Sequence, residues 1–277
     1  MDTENPIQFD AVVPYHDKDA LILPYCLEGL RKNTRGLRKI YIVSKEEPED
    51  VEDFTWIPES SFPFSFEDVT KIIHSTNNRH GWYYQQLLKF YAFKVIPDLL
   101  PNFLVPDSDV VFLRPIEFFK GNKILFDYGG MYVPEYFIHM RKLLPKDFEN
   151  TSKEAGTTDC MMYTKTILND LFERVEKAHE CSMWKALLKC VTPDRYNSSG
   201  MSEQEIYFQF ALQHYSDIYE LRLLEKAYGL NLIELARKDV DFLSFHAWLL
   251  PLRSEQITPI AVEAYVMLPE AYRNGLL

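Results

Sequence analysis

Two acidic residues lie close together within an otherwise apolar stretch of the sequence. Asp107 and Asp109, separated by Ser108, follow the apolar run 103–106 and precede the run 110–113. Buried carboxylates cost several kcal/mol unless something cationic pairs with them. Because side chains alternate along an extended segment, both carboxylates are expected on one side, where they can hold Mg²⁺ or Mn²⁺ and leave positions open for phosphate oxygens. A structural turn rich in aspartate is the alternative.

The charge of the chain limits what this acidic pair can bind. The sequence has 30 Lys and Arg against 41 Asp and Glu, which gives a formal net charge of −11. Nucleic acid is therefore not an expected partner, since its backbone would be repelled over most of the surface. An anionic nucleotide sugar can bind only where a metal, a cluster of cations or helix N-termini reverse the local field.

The N-terminus, the apolar runs and the cysteines favour a cytoplasmic protein. Residues 1–9 are polar and lack the basic start and apolar run of a signal peptide. The apolar runs are much shorter than the roughly 20 residues that a membrane span needs. The four cysteines lack the spacing of metal ligands and are expected to be reduced, mostly buried thiols.

The elements that must position the acidic pair follow a βαβ pattern. Residues 9–14 and 39–44 predict strands, and residues 19–31 predict a helix between them. This spacing favours a parallel, Rossmann-like sheet that binds ligands at the C-terminal ends of its strands. Residues 82–96, stopped by Pro97, predict the clearest helix, whose apolar side should face the core.

The second half of the sequence predicts further strands and helices. A strand is expected at 161–163, helices are expected at 167–177 and 203–213, and residues 242–250 form another apolar segment. A hydrophobic content of 47% is ample for a packed core. No repeat or linker divides the chain, so residues 1–277 are expected to form one domain.

Three segments together resemble the GT-A glycosyltransferases, especially small bacterial and viral members. They are residues 81–89, the triplet 107–109 with Arg114-Pro115, and residues 202–207. The resemblance implies an α/β GT-A fold, with a Rossmann-like mixed sheet flanked by helices. In it, residues 1–115 or so form a nucleotide-binding half, and the remainder up to 277 forms an acceptor-side half.

The same resemblance implies an enzyme that uses a divalent metal, Mn²⁺ or Mg²⁺. The enzyme would transfer a hexosyl or pentosyl group from a nucleoside-diphosphate sugar, with UDP favoured over GDP, to a glycan or another hydroxyl acceptor. Asp107 and Asp109 then hold the metal, and Ser108 lies against the donor. His246, in an apolar segment near the C-terminus, resembles the histidine that often completes the metal shell, although a lone histidine there can also be a core residue.

Residues on the first strand and on the long helix are assigned to the nucleotide. Pro14, Tyr15 and His16 end the first strand where the base would lie, and Tyr15 is suited either to stack on it or to join the core. Gln85 and Lys89 are four residues apart and share a helix face, which can present an amide and a cation to the nucleotide. A solvated helix face is the alternative for both, and more so for Gln85.

Three carboxylates are candidates for the base that accepts the proton of the acceptor hydroxyl. Asp159 precedes an apolar strand and can reach the sugar or the acceptor, or it can be a polar loop residue. Glu203 and Glu205 begin a helix, where acidic residues favour the helix dipole. Ser202 and Glu205 match a capping box, which gives Glu205 a structural alternative and makes Glu203 the better candidate.

Two other functions are alternatives for the same acidic triplet. The triplet after an apolar strand also matches the start of a phosphatase of the haloacid-dehalogenase type, in which Asp107 would be the nucleophile. That family expects the motif near the N-terminus and a later acidic pair, and neither is found in this sequence. A module that binds sugar nucleotides without catalysis is the other alternative, against which the intact carboxylates and Lys89 argue.

Overall fold

A five-stranded mixed sheet forms the centre of the fold. The computed structural model describes residues 6–77, 79–149, 151–228 and 240–245. The strand order is β3-β2-β1-β4-β8, in which β8 alone runs antiparallel to its neighbour. The strands are β1 (Phe9–Pro14), β2 (Leu37–Ser44), β3 (Thr55–Pro58), β4 (Asn102–Pro106) and β8 (Cys160–Thr164).

Two smaller sheets flank the central one. The first has the order β10-β11-β5, and the second has the order β6-β7-β9. Their strands are β5 (Val110–Phe112), β6 (Phe119–Lys120), β7 (Lys123–Asp127), β9 (Tyr219–Arg222), β10 (Lys226–Tyr228) and β11 (Phe242–Ser244).

Seven α-helices pack around these sheets in the described part of the chain. They are α1 (Leu23–Asn33), α2 (Phe66–Ile72), α3 (His80–Val95), α4 (Pro134–Leu143), α5 (Lys165–His179), α6 (Met183–Cys190) and α7 (Glu203–Tyr215). No helix among the described residues is both long and apolar enough to cross a membrane.

The predicted βαβ unit is confirmed, with one change at the start of its helix. Strands β1 and β2 pair in parallel, and β4 pairs in parallel with the other side of β1. The helix between β1 and β2 begins at Leu23 rather than at residue 19, and residues 17–19 form a separate 3₁₀ turn. Pro24 explains the later start, since proline is favoured in the first turn of a helix.

Helix α3 is buried on nearly all sides, although the sequence predicts an apolar side only. Its buried residues run without interruption from Gln86 to Phe93. The helix packs against β1, α2 and α7, so little of its surface reaches water. A lysine inside such a helix needs buried partners for its charge.

One cluster of buried apolar side chains joins both halves of the sequence. It extends from Phe9 in β1 to Phe242 in β11. Strand β8, from the second half, pairs with β4 of the first half in the central sheet. The two halves therefore share one sheet and one core, which confirms the expectation of a single α/β domain.

Candidate functional site

The candidate site lies at the edge of the central sheet where β1 and β4 end. Because β8 runs antiparallel to β4, its first residue lies beside the last residue of β4, and Pro106 pairs with Cys160. One residue further, the backbone N–H of Asp107 donates to the carbonyl of Asp159 at 3.0 Å. Two of the acidic residues selected from the sequence are thus held together by backbone pairing.

The Asp107–Asp109 triplet is a turn and not an extended segment, so the expected strand alternation there is wrong. The turn connects β4 to β5, and the N–H of Val110 donates to the carbonyl of Asp107 at 3.2 Å. The N–H of Phe245 donates to the carbonyl of Asp109 at 2.9 Å. Ser108 is 1% exposed and donates its hydroxyl to Asp19 at 2.7 Å. Its side chain therefore fixes the turn to the loop after β1.

The charges of three carboxylates act on the buried thiol of Cys26. Burial raises the pKa of Cys26, and the charges of Asp109, Asp19 and Asp107 raise it further. The thiol donates weakly to the carbonyl of Asp107 at 3.8 Å. Asp19 thus belongs to the same acidic group, although it carries no motif that would have revealed it in the sequence.

Lys89 supplies the cation that this buried acidic group requires. Its Nζ lies 2.6 Å from Oδ1 of Asp107 and 3.0 Å from Oε1 of Glu203. Burial alone would lower the pKa of Lys89, but the two carboxylates outweigh burial and raise it above its usual value. The lysine therefore stays charged and connects the turn after β4 to the start of α7.

Next to Lys89, a hydrogen bond between Glu203 and Gln86 connects helix α7 to helix α3. The backbone N–H of Glu203 donates to the side-chain oxygen of Gln86 at 3.0 Å. Glu203 is 3% exposed, and its carboxylate faces Lys89. Gln85, the residue selected from the sequence, is half-buried and makes none of the hydrogen bonds of this cluster. Gln86 and Lys89 are three residues apart on the helix, so they share the face that was assigned to Gln85.

Glu205 holds the loop that carries Asp159. Ser202 caps α7 by accepting the N–H of Glu205 at 3.2 Å, as the sequence predicts. The carboxylate of Glu205, however, accepts from the N–H of Gly156 at 2.9 Å and from the hydroxyl of Thr157 at 3.0 Å. A Cβ on Gly156 would lie 2.1 Å from the ring of Phe208, so only glycine allows this close approach.

Asp159 faces a second lysine at the other end of the site. Its carboxylate lies 3.3 Å from Nζ of Lys226 and 3.4 Å from the hydroxyl of Ser244, and the residue is 4% exposed. Lys226 comes from β10 and Ser244 from β11. Nothing in the sequence indicates that Lys226 and Ser244 lie near Asp159. They approach it only because β10 pairs with β11 and β11 pairs with β5.

Asp127, near Asp159 and Lys226, makes the stability of the fold depend on pH. Burial raises its pKa from 3.8 to about 6, even though its carboxylate accepts the N–H of Leu224. The folded protein therefore holds this proton more tightly than the unfolded chain does. The stability that this group contributes is complete below about pH 4 and is lost as the pH rises through about 6.

We expect Asp127→Asn to be more stable than the wild type at neutral pH only. Asparagine keeps the oxygen that accepts from Leu224 but cannot ionise. At about pH 7.5 the gain in the free energy of unfolding should be about 3 kcal/mol, and at about pH 4 it should vanish. Urea unfolding at both pH values measures it, and an equal gain at both would contradict the role of ionisation.

The residues assigned to the nucleotide base lie at the end of β1. Pro14 is buried and pairs with Val43 of β2. Tyr15 is half-buried, and burial together with Asp17 and Asp19 raises its pKa to about 12, so its hydroxyl stays neutral. His16 is exposed, and its Nδ1 accepts the N–H of Lys18 at 3.2 Å.

The donor set at the turn fits a hard divalent cation. Asp107 and Asp109 offer carboxylate oxygens, the ligand type that Mg²⁺ and Mn²⁺ prefer. The side chain of Asp107 is 25% exposed, so the turn is open to a ligand. Among the described residues no group of three His, Cys, Asp or Glu side chains is placed to hold a metal. His246 lies outside the described residues, directly after Phe245 in the sequence.

Comparison with solved structures identifies the fold. The mannosyltransferase Ktr4p from S. cerevisiae superposes with a TM-score of 0.54 at 11% identity, over 89% of this chain and 74% of that one. Mouse xyloside xylosyltransferase 1 in its apo form gives a TM-score of 0.45 at 10% identity, over 87% and 98% of the two chains. The galactosyltransferase LgtC, in complex with donor and acceptor sugar analogues, gives 0.46 at 9% identity, over 97% and 100%.

The fold is that of the GT-A proteins, as the sequence predicts: a mixed sheet flanked by helices in one domain. At these identities the likeness concerns the fold alone. The chain belongs to a family of unknown function, DUF6492, whose model matches residues 22–229. No curated protein matches the chain in sequence.

Proposed function

We propose that this protein is a glycosyltransferase that uses a divalent metal and a nucleoside-diphosphate sugar. The observation that carries the proposal is the position of the Asp107–Asp109 turn. It lies at the C-terminal edge of the parallel strands, where α/β sheets bind ligands, and Lys89 connects it to Glu203. The similarity in fold to glycosyltransferases agrees with this chemistry.

Asp107 and Asp109 would hold Mn²⁺ or Mg²⁺, which neutralises the diphosphate and stabilises it as the leaving group. The fixed turn, tied to Asp19 through Ser108, keeps the two carboxylates in place. His246 directly follows Phe245, whose N–H binds the carbonyl of Asp109, and we assign it as a third metal ligand. Lys89 holds Asp107 in place through its ion pair, and the metal would supply the local positive charge that a protein of charge −11 needs where it binds an anion.

The loop after β1 would bind the nucleotide, with UDP favoured over GDP. Tyr15 presents a neutral phenol beside the base position, and Pro14 and His16 border it. Ser108, in the proposed metal-binding turn, donates to Asp19 in this loop. This hydrogen bond joins the segment proposed to bind the base to the segment proposed to bind the metal. Gln85, which is half-buried on α3, is a further candidate contact to the donor.

Glu203 is the carboxylate that we assign to the reacting centre. It shares the cation of Lys89 with Asp107, one of the two proposed metal ligands, and this shared ion pair supports the assignment. The carboxylate of Glu205 is occupied by Gly156 and Thr157, which supports a role in positioning the loop. Asp159 faces Lys226 and is assigned to binding the transferred sugar or the acceptor hydroxyl.

The proposal is tested by incubating the protein with a panel of nucleoside-diphosphate sugars, with glycan acceptors, and with Mn²⁺, Mg²⁺ or EDTA. We expect release of nucleoside diphosphate that requires the metal, with UDP-sugars the best donors. Release of phosphate from simple monoesters instead would favour a phosphatase. Tight binding of donors without any turnover would favour a binding module.

Replacing Glu203 with glutamine is expected to leave donor binding intact and to slow transfer about 10²-fold or more if Glu203 is the general base. Glutamine keeps the backbone contact to Gln86 and the size of the side chain. The matched control is Glu205→Gln in the same helix turn, which should retain most of the turnover. Normal turnover of Glu203→Gln would move the assignment to Asp159.

A further inference from the structure

Arg79, at the start of α3, has a cation that no acidic side chain neutralises among the described residues. Its Nη2 donates to the hydroxyl of Ser199 at 2.6 Å, and its guanidinium carbon lies 4.3 Å from the centre of the Trp82 ring. Its Nε is buried and makes no hydrogen bond to the described part of the chain. Burial lowers the pKa of Arg79, and the groups that counter this are the phenols of Tyr136 and Tyr83.

The neighbouring Arg195, in contrast to Arg79, has acidic partners. Arg195, on the adjoining loop, lies 2.8 Å from the carboxylate of Glu135 and 3.2 Å from that of Asp194. Arg79 also precedes the first turn of a long helix, where the macrodipole disfavours a positive charge. The position of its charge therefore contributes little to the stability of the fold.

The surroundings hold the guanidinium in one orientation. Tyr83 donates its hydroxyl to the carbonyl of Ser198 at 3.0 Å and accepts the N–H of Gly200 at 3.2 Å, which fixes the loop that carries Ser199. Trp82 stacks against the guanidinium from the helix side. Of the N–H donors of Arg79, only one is used by a described side chain, that of Ser199. Because Nε is buried, the remaining N–H groups of the two terminal nitrogens are the donors available to an oxyanion.

This cluster is connected to Glu203 through the loop that leads into α7. Tyr136 is buried, and burial raises the pKa of its phenol. Glu203 raises this pKa further, whereas Ser199 and Arg79 lower it. Arg79 precedes Lys89 by about 15 Å along the helix axis, at the rise of an α-helix. Ser199, which accepts from Arg79, precedes Glu203 by four residues, whereas no contact among the described residues connects Arg79 to the Asp107–Asp109 turn.

We propose that Arg79, oriented by Trp82, Ser199 and Tyr136, forms an acceptor subsite that binds the carboxylate or phosphate of an acidic saccharide. The inference rests on the proposed glycosyl transfer and adds the class of acceptor. An acid group on the acceptor would be held by the guanidinium while a hydroxyl of the same saccharide lies toward Glu203. A neutral acceptor would offer no counter-charge to this half-buried cation.

Binding of simple saccharides tests the subsite without requiring turnover. We expect glucuronate and glucose 6-phosphate to shift the NMR signal of the Trp82 indole, with affinities about tenfold or more above that of glucose. Arg79→Gln should remove this preference, leave the weak binding of glucose unchanged and not lower the melting temperature. Arg35→Gln removes an equal charge at an exposed position and should retain the preference. Equal affinity for the acidic and neutral sugars, or an unchanged preference in Arg79→Gln, would overturn the proposal.

Transfer assays then separate the acceptor from the donor as the source of the anion. Arg79→Gln should raise KM for acidic acceptors about tenfold and leave UDP binding and donor hydrolysis unchanged. A loss of UDP affinity in this variant would assign Arg79 to the donor diphosphate and contradict the acceptor assignment. If no nucleotide sugar reacts at all, the proposed function fails, while the saccharide titration still decides whether the anion subsite exists.

Discussion

Replacing Asp109 with alanine is expected to abolish metal-dependent binding of the nucleotide sugar and to lower turnover about 10³-fold or more, because a bound metal contributes several kcal/mol to stabilising the leaving diphosphate. The fold should tolerate the change. The turn is held by backbone bonds, from Val110 to Asp107 and from Phe245 to Asp109, that do not involve the deleted carboxylate. Removing one anion also relieves repulsion with Asp19 and Asp107 when no metal is present.

Calorimetry with UDP and Mn²⁺, together with urea unfolding, measures both parts of this expectation. The free energy of unfolding in EDTA should change by less than about 1 kcal/mol. Asp98→Asn, at an exposed position in the turn that precedes β4, is the matched control and should bind the donor normally. Unchanged affinity of Asp109→Ala for UDP in the presence of Mn²⁺ would refute the metal site at this turn.

The parts of the fold that the sequence predicts correctly depend on local patterns. Strands β1 and β2 and the helices α3, α5 and α7 each follow from apolar periodicity and from flanking proline or capping residues. Helix α2 is absent from the elements that the sequence predicts. Its signal was present: Ser65 and Asp68 form a reciprocal capping box at its N-terminus.

The environment of each carboxylate could not be predicted, because it depends on residues that are distant in the sequence. Asp10 in β1 is buried, as Asp109 is, but it pairs with Arg38 at 2.7 Å and accepts the N–H of Leu100, which is a structural role. Nothing next to Asp10 in the sequence reveals this difference. The bond from Gln86 to Glu203 could not be predicted for a related reason, since a helix buried on nearly all sides has no single inward face.

The assignment of Lys89 changed most between sequence and structure. The helical spacing suggested a cation directed at the nucleotide, on a helix with one solvated side. The structure instead buries Lys89 between Asp107 and Glu203, which explains how both carboxylates can lie inside the fold. The same lysine therefore determines the stability of the fold and the geometry of the proposed site.

Replacing Lys89 with methionine should consequently destabilise the protein by about 3 to 5 kcal/mol, the cost of leaving buried charges without a partner. Methionine has a similar length and no charge, so the loss is electrostatic rather than a packing defect. Lys94→Met, in the same helix, is the matched control. Lys94 is exposed and its ammonium binds Asn169, so its replacement should cost less than about 1 kcal/mol.

A second substitution and the addition of Mn²⁺ separate the loss of charge from other consequences of Lys89→Met. Combining it with Glu203→Gln should recover part of the lost stability, because one of the two unpaired carboxylates becomes neutral. Mn²⁺ should also recover stability in the single variant but not when Asp109→Ala is added, because the metal then lacks its second carboxylate. If Lys89→Met unfolds no more easily than Lys94→Met, the ion pairs do not stabilise the fold. Lys89 would then act on the bound donor, as the sequence alone suggested.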